Sequence, residues 1–241
     1  MEYFNPVNLI FGSRVRTRIV AECVGKRVLM ICSSTAYSRC KKDPELKTLF
    51  SCARTQFEHG FESNPSLADI TKISNKYQDS SFDLIIGIGG GSAMDVAKIA
   101  SVSIPAFQKG IIIDELLNDS TLFSRFKEID CIQVPTTAGT GSEVTPFATV
   151  WDYDIQQKKS LSHAMMFAKK AFIDPDFLIH IPLEVAVSTA LDALNQAFES
   201  IWNVNANEFT RPISRQAAVL ALQSLPIIDD ISNNPASRRM L

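Results

Sequence analysis

DLIIGIGGGSAMDVAKIASVS, residues Asp83–Ser103, decides the fold. Asp83 to Ile88 is a short apolar run of the kind a strand shows when it is buried on both faces of a parallel sheet. The run breaks at Gly89-Gly90-Gly91-Ser92, and a helical pattern follows from Met94 to Ser103. Glycines let a backbone approach a pyrophosphate closely, and the unpaired amides of a helix N-terminus favour its negative charge. Ser92 is expected to cap the helix and to donate to a phosphate oxygen. A tight strand-to-helix turn without a ligand would use the same residues, and the spacing is not G-x-G-x-x-G at a first βα turn.

Working outward, Arg27–Cys32 (RVLMIC) and Ile129–Val134 read as two more buried strands. Phe57–Glu62 reads as another, after an amphipathic helix, and Val7–Phe11 as a short one stopped by Gly12. Asn64-Pro65 is a turn and Leu67–Tyr77 a helix. This alternation predicts βαβ units and a Rossmann-like, doubly wound parallel sheet over residues 1–182. Beyond Pro182 the character changes to two long helical patterns, Leu183–Trp202 and Thr210–Ser224. A second, all-helical domain is expected over 183–241, thin for a free-standing core. Asn233-Asn234-Pro235 reads as a turn into one more helix that the sequence does not finish, so this domain is expected to be incomplete.

The 241 residues are 46% hydrophobic and 21% charged, as expected of a globular protein with a substantial core. A net charge of −2 gives no reason to expect nucleic-acid binding, and no uninterrupted apolar stretch is long enough for a membrane span. The N-terminus lacks a secretory signal pattern, so a cytoplasmic protein is expected. Its five cysteines show no metal or C-x-x-C spacing; Cys32 and Cys131, at strand ends, are expected in the core, and none has neighbours set to lower its pKa.

Two further segments carry chemistry. Pro135-Thr-Thr-Ala-Gly-Thr-Gly-Ser-Glu143 follows a strand, where hydroxyls and glycines suit a ligand in the crevice of an open sheet. A solvated Gly/Ser/Thr loop is the plainer account. Asp192-Ala-Leu-Asn-Gln196 resembles a metal-binding turn Asp-x-x-x-His, because residues i and i+4 stand on one helical face, but the second position is glutamine. Asp192 is otherwise an N-cap.

Taken together, NPVNLIFG (Asn5–Gly12), GGGS with Asp95 and Lys98, PTTAGTGSEVT (Pro135–Thr145), DPDFLIHIP (Asp174–Pro182) and LDALNQAFESIW (Leu191–Trp202) resemble the iron-containing (group III) alcohol dehydrogenase family. That family shares a fold with glycerol dehydrogenase and dehydroquinate synthase. The resemblance implies a Rossmann-like sheet followed by a helical domain, and an NAD(P)-dependent alcohol dehydrogenase or aldehyde reductase acting on a small alcohol or aldehyde. It implies pyrophosphate and nicotinamide contacts at Gly90, Gly91, Ser92 and Asp95, and a cofactor-proximal Asn64. Hydroxyls of Thr136, Thr137, Thr140 and Ser142 would line the cofactor cleft, with a cofactor-binding Lys158. Lys158 has a plainer account as a solvated lysine beside Lys159.

Three departures bear on function. The family often carries aspartate after the first strand, binding the ribose 2′-hydroxyl; here that position is Ser33, which makes NADP at least as plausible as NAD. Arg39, Lys41 and Lys42 are near in sequence, although a solvated basic face accounts for them. Gln196 replaces a histidine ligand and is a poor donor for Fe(II) or Zn(II), leaving Asp192 as the retained metal ligand. The family's remaining histidines have no counterparts, since His59, His163 and His180 are expected in surface or satisfied-core roles. The resemblance also implies a homodimer, with Val7–Phe11 able to pair across it. ESIWNVNAN (Glu199–Asn207) invites comparison with the phosphonoacetaldehyde reductase-like branch. Two rivals stand beside the dehydrogenase: a non-catalytic nucleotide-binding remnant or fragment, motivated by Gln196 and the short helical half, and a lyase of the dehydroquinate synthase type.

Overall fold

A computed structural model describes residues 4–52, 54–61, 63–179 and 181–228. Its main sheet has six strands: β1 (Asn8–Phe11), β2 (Val28–Cys32), β3 (Thr55–Glu58), β4 (Leu84–Gly89), β5 (Cys131–Pro135) and β8 (Lys170–Ile173). They run in the order β1-β8-β5-β4-β2-β3, and every pairing is parallel. A separate antiparallel ribbon joins β6 (Phe147–Asp152) to β7 (Gln157–Ser162). Helices α1 (Thr17–Cys23), α2 (Ser34–Lys42), α3 (Lys47–Phe50), α4 (Leu67–Lys76), α5 (Gly91–Phe107) and α6 (Ile113–Asn118) accompany these strands.

Burial explains the pattern. Every residue of β2, β4 and β5 is buried, because parallel strands with cover on both faces need apolar side chains at consecutive positions. Edge strands β1 and β3 are partly exposed. Cys32 and Cys131 are buried as expected, at 0% and 3% exposure. Exposed Cys52 departs from expectation: hydrogen bonding to the Arg54 backbone and the Thr55 side chain lowers its pKa. The observed strands differ from the sequence-based bounds by one to four residues. The predicted strand Phe57–Glu62 is shorter and earlier, and the ribbon and β8 had no counterpart in the sequence reading.

Helix α5 runs four residues past Ser103, through Pro105. Proline cannot donate to the carbonyl four residues back, that of Ser101. Here that oxygen accepts instead from the Ile129 backbone N–H at 2.9 Å. A tertiary bond thus replaces the helical one, and the helix continues.

Contacts divide the chain into two compact units. One holds the described residues to Pro135 together with Ser142–Ile173; the other holds Thr136–Gly141 together with those from Asp174. The helical unit therefore starts at Asp174, ahead of the expected boundary at 182/183, and takes in the loop after β5. Its helices α7 (Leu183–Trp202) and α8 (Thr210–Ser224) match the sequence reading in both bounds. Ile181, Ala186, Ala190 and Ile228 form its small core. The turn expected at Asn233–Pro235 lies outside the described residues.

Candidate functional site

Chain order makes a gap in the sheet's connections. From β2 the chain goes outward to β3, then returns to β4 on the other side of β2. In open α/β sheets ligands bind outside the carboxyl ends of the strands at such a switch point. Those ends are Cys32-Ser33 and Gly89-Gly90-Gly91. Between them lies a recess of about 330 Å³ bordered by Ser33, Ser34, Thr35, Phe61, Ser63 and Gly90–Ala93.

Two helices begin at this recess. Ser33 caps α2, its Oγ accepting from the Ala36 N–H at 3.2 Å. Gly90 occupies the cap position of α5 in an extended conformation. Ser92 was expected as the cap; it lies inside the first turn instead, and its Oγ donates to the Ser63 carbonyl. Helix α5 starts earlier than its apolar pattern because glycine at the cap needs no side chain. Gly89 has φ +155°, and a Cβ there would lie 2.6 Å from the Ala93 Cβ. The absence of a side chain therefore lets the first turn of α5 close on the end of β4.

Asp95 and Lys98 lie on α5, one and two turns in. Both Asp95 carboxylate oxygens meet protein donors: Ser142 Oγ at 2.6 Å on Oδ1, and the Thr149 N–H at 2.9 Å on Oδ2. Lys98 Nζ, with no exposed surface, is 3.2 Å from Asp95 Oδ1. It also donates to the carbonyls of Ser142 (2.9 Å), Thr145 (3.4 Å) and Phe147. Burial pulls the Lys98 pKa below its usual value against the pull of Asp95. Nearby Glu143 is raised by loss of solvent.

The other expected site residues are dispersed. Asn64 is exposed, and its carbonyl accepts from Tyr153 Oη at 3.0 Å. Lys158 is an exposed residue of β7, while its neighbour Lys159 pairs with Asp152 at 2.8 Å. Arg39, Lys41 and Lys42 occupy the last turn of α2, the end away from Ser33. Ser142 belongs to the sheet unit, whereas Thr136, Thr137 and Thr140 belong to the helical one. Within that unit Thr136 is buried, and Gly139 (φ +109°) comes so close to α7 that a Cβ would lie 2.5 Å from the Thr189 carbonyl oxygen.

Also in the helical unit, Gln196 Nε2 donates to Asp192 Oδ2 at 2.9 Å. Glutamine thus satisfies the aspartate rather than supplying a second acceptor toward a cation. Among the described residues no group of three or more His, Cys, Asp or Glu side chains could hold a metal ion. Asp192 and Gln196 therefore do not by themselves make an Fe(II) or Zn(II) site. His59 is exposed and stacks on Tyr37 at 3.9 Å; His163 stacks on Phe123 at 4.0 Å and accepts from the Met165 N–H. Both fill the bland roles expected of them, and His180 lies outside the described residues. No described helix is long and apolar enough to cross a membrane.

Sequence reasoning missed the Asp95–Lys98 pairing with the ribbon, although the i,i+3 spacing of opposite charges on a largely apolar helix was a visible signal.

Comparisons with known proteins agree with this geometry. A family model described as iron-containing alcohol dehydrogenase matches residues 6–175. A long-chain-alcohol dehydrogenase of Geobacillus thermodenitrificans is 37% identical over 147 residues, 61% of this chain and 35% of the relative. A 1-propanol dehydrogenase of Salmonella typhimurium is 26% identical over 226 residues, 94% of this chain and 56% of the relative. The crystal structure of an iron-containing alcohol dehydrogenase from Thermotoga maritima superposes with a TM-score of 0.84 at 28% identity, covering 99% of this chain and 65% of that one. The chain thus spans about a third to two thirds of the length of these three proteins.

Proposed function

The chain belongs to the iron-containing alcohol dehydrogenase family, and from that premise we propose that it forms the cofactor-binding part of an NAD(P)-dependent alcohol dehydrogenase or aldehyde reductase. One observation carries the reading: a glycine-built recess at the switch point of the sheet, where two helices begin. When bound there, a nicotinamide dinucleotide supplies a hydride donor or acceptor for the carbon of a small alcohol or aldehyde. The chain's residues bind and orient it. Backbone amides of Gly91 and Ser92, at the start of α5, face where a diphosphate's charge is best stabilised. The family match and this recess favour an enzyme over a non-catalytic remnant.

NADP(H) suits the recess at least as well as NAD(H) in this proposal. Where a carboxylate would take the ribose 2′-hydroxyl and repel a 2′-phosphate, Ser33 stands at the end of β2, followed by the hydroxyls of Ser34 and Thr35. The described lining of the recess holds no carboxylate. A homodimer is part of the same reading, through the outer edge of β1, where Leu9 and Phe11 are 52% and 70% exposed. The free thiols accord with a cytoplasmic setting.

Titrating NADPH and NADH against the protein by nucleotide fluorescence tests this, followed by turnover on short aldehydes. NADPH should bind at least as tightly as NADH, and Ser33→Asp should shift the preference toward NADH by about ten-fold. Binding of neither nucleotide would remove the proposal.

A further inference from the structure

Family resemblance implies a cofactor contact for Asp95, yet both oxygens of its carboxylate, and Lys98 beside it, meet groups of β6 and of the loop before it. Three elements of the sheet unit close into a circuit of hydrogen bonds. Helix α5 holds the start of β6, because Asp95 accepts from the Thr149 N–H and Lys98 donates to the Phe147 carbonyl. Strand β6 and the residue after it then hold the turn Asn64–Ser66: the Trp151 N–H donates to the Pro65 carbonyl at 2.9 Å, and Tyr153 Oη to that of Asn64 at 3.0 Å. That turn continues from Ser63, which borders the recess and accepts from Ser92 at the start of α5.

We infer that Asp95 and Lys98 are a positioning pair, which fixes the ribbon on α5 and through it holds the Ser63–Ser66 turn, and with it Ser63 at the border of the nucleotide recess. The inference rests on the dinucleotide reading above. Its physical basis is what a buried ammonium needs. Lys98 has no exposed surface, so its charge is tolerable only where several acceptors converge, and those acceptors are fixed by having to meet it. Three backbone carbonyls, the Thr145 hydroxyl and one carboxylate do so here. Only side chains that are themselves immobile can hold a binding wall to the tolerance that recognition requires. Ser142 Oγ spends its single proton on Asp95, so it serves the pair rather than donating to a phosphate.

The test compares wild type, Lys98→Met and the shape-conserving Asp95→Asn at a temperature where far-UV circular dichroism shows each to be folded. NADPH affinity is measured by fluorescence and exchange of the Trp151 amide by hydrogen exchange. Both variants should bind NADPH about ten-fold more weakly, with faster exchange at Trp151. If Lys98→Met fails to fold, Asp95→Asn carries the same expectation. Faster exchange with unchanged affinity would make the pair merely structural and overturn the inference. Unchanged exchange would overturn it too, by showing that the pair does not hold the ribbon. Wild type binding no nucleotide would instead remove the dinucleotide reading, a failure told apart because the exchange data still report on the circuit.

Discussion

Gly89→Ala should damage the fold and the recess together, and the structure says by how much. The new Cβ would lie 2.6 Å from the Ala93 Cβ and 3.2 Å from Ser33 Oγ. Carbon atoms rest at about 3.5–4.0 Å, so the first turn of α5 must withdraw from β4 by roughly 1 Å. Overpacking of this kind costs about 1–3 kcal/mol. The backbone adds a second cost, since φ +155° is a conformation that side-chain-bearing residues rarely adopt, worth about 1–3 kcal/mol. The total is about 4 kcal/mol. At about 2–4 °C per kcal/mol for a chain of this size, the melting temperature should fall by roughly 12 °C. Gly25→Ala is the control: its φ is +75°, but nothing lies within 4 Å of the added carbon, so only the strain of about 1 kcal/mol applies. Thermal melts followed by circular dichroism give the stabilities, and NADPH fluorescence the affinities. If Gly89→Ala melts within 2 °C or so of Gly25→Ala and binds NADPH as wild type does, the close approach of α5 to β4 is not what shapes the recess.

Two other predictions follow from chemistry elsewhere in the chain. Gln196→His should raise zinc affinity by at least about ten-fold in equilibrium dialysis, because imidazole replaces an amide that now donates to Asp192; stoichiometric iron or zinc in the wild-type protein would show that Gln196 is no obstacle. Stability should also fall steeply above pH 9. Burial pushes Cys23 up to about 11 and Cys40 and Cys131 up to about 12, and raises Cys32 well above the ordinary 9.0. A group whose folded pKa exceeds its unfolded one contributes fully below the unfolded value and loses that contribution as pH climbs to the folded one. Each thiol then costs about 1.4 kcal/mol per pH unit. Tyr77, pushed by burial up to about 12, adds to the fall above pH 10, whereas Cys52 up to pH 9 and Lys98 toward 10.5, both lowered, act in the opposite sense. Denaturant midpoints from pH 8 to 10.5 should show the decline, lessened in Cys40→Ala; a flat profile would refute it.

Local pattern sufficed for a good part of this molecule. The continuous apolar runs of β2, β4 and β5, the glycine turn before α5, and the full extents of α7 and α8 follow from side-chain periodicity and turn chemistry, which neighbours in sequence settle among themselves. The family motifs are likewise contiguous, so resemblance needs no structure. Ser33 as the end of a strand, and Gln196 on the same helical face as Asp192, were legible for the same reason.

Other features depend on partners far away in the chain, and only tertiary structure decided them. Helix α5 outlasts Pro105 because Ile129 satisfies the Ser101 carbonyl. Strand β8 (KAFI) is too short to declare itself, and is fixed by pairing with β1, about 160 residues earlier, as well as with β5. The loop Thr136–Gly141 groups with the helical unit, where Gly139 meets Thr189. Asp95 and Lys98 face the ribbon because the acceptors and donors that complete them lie 44 to 54 positions onward. Spacing along the chain can bring two side chains to one helical face; what that face meets is set by how the remaining elements pack.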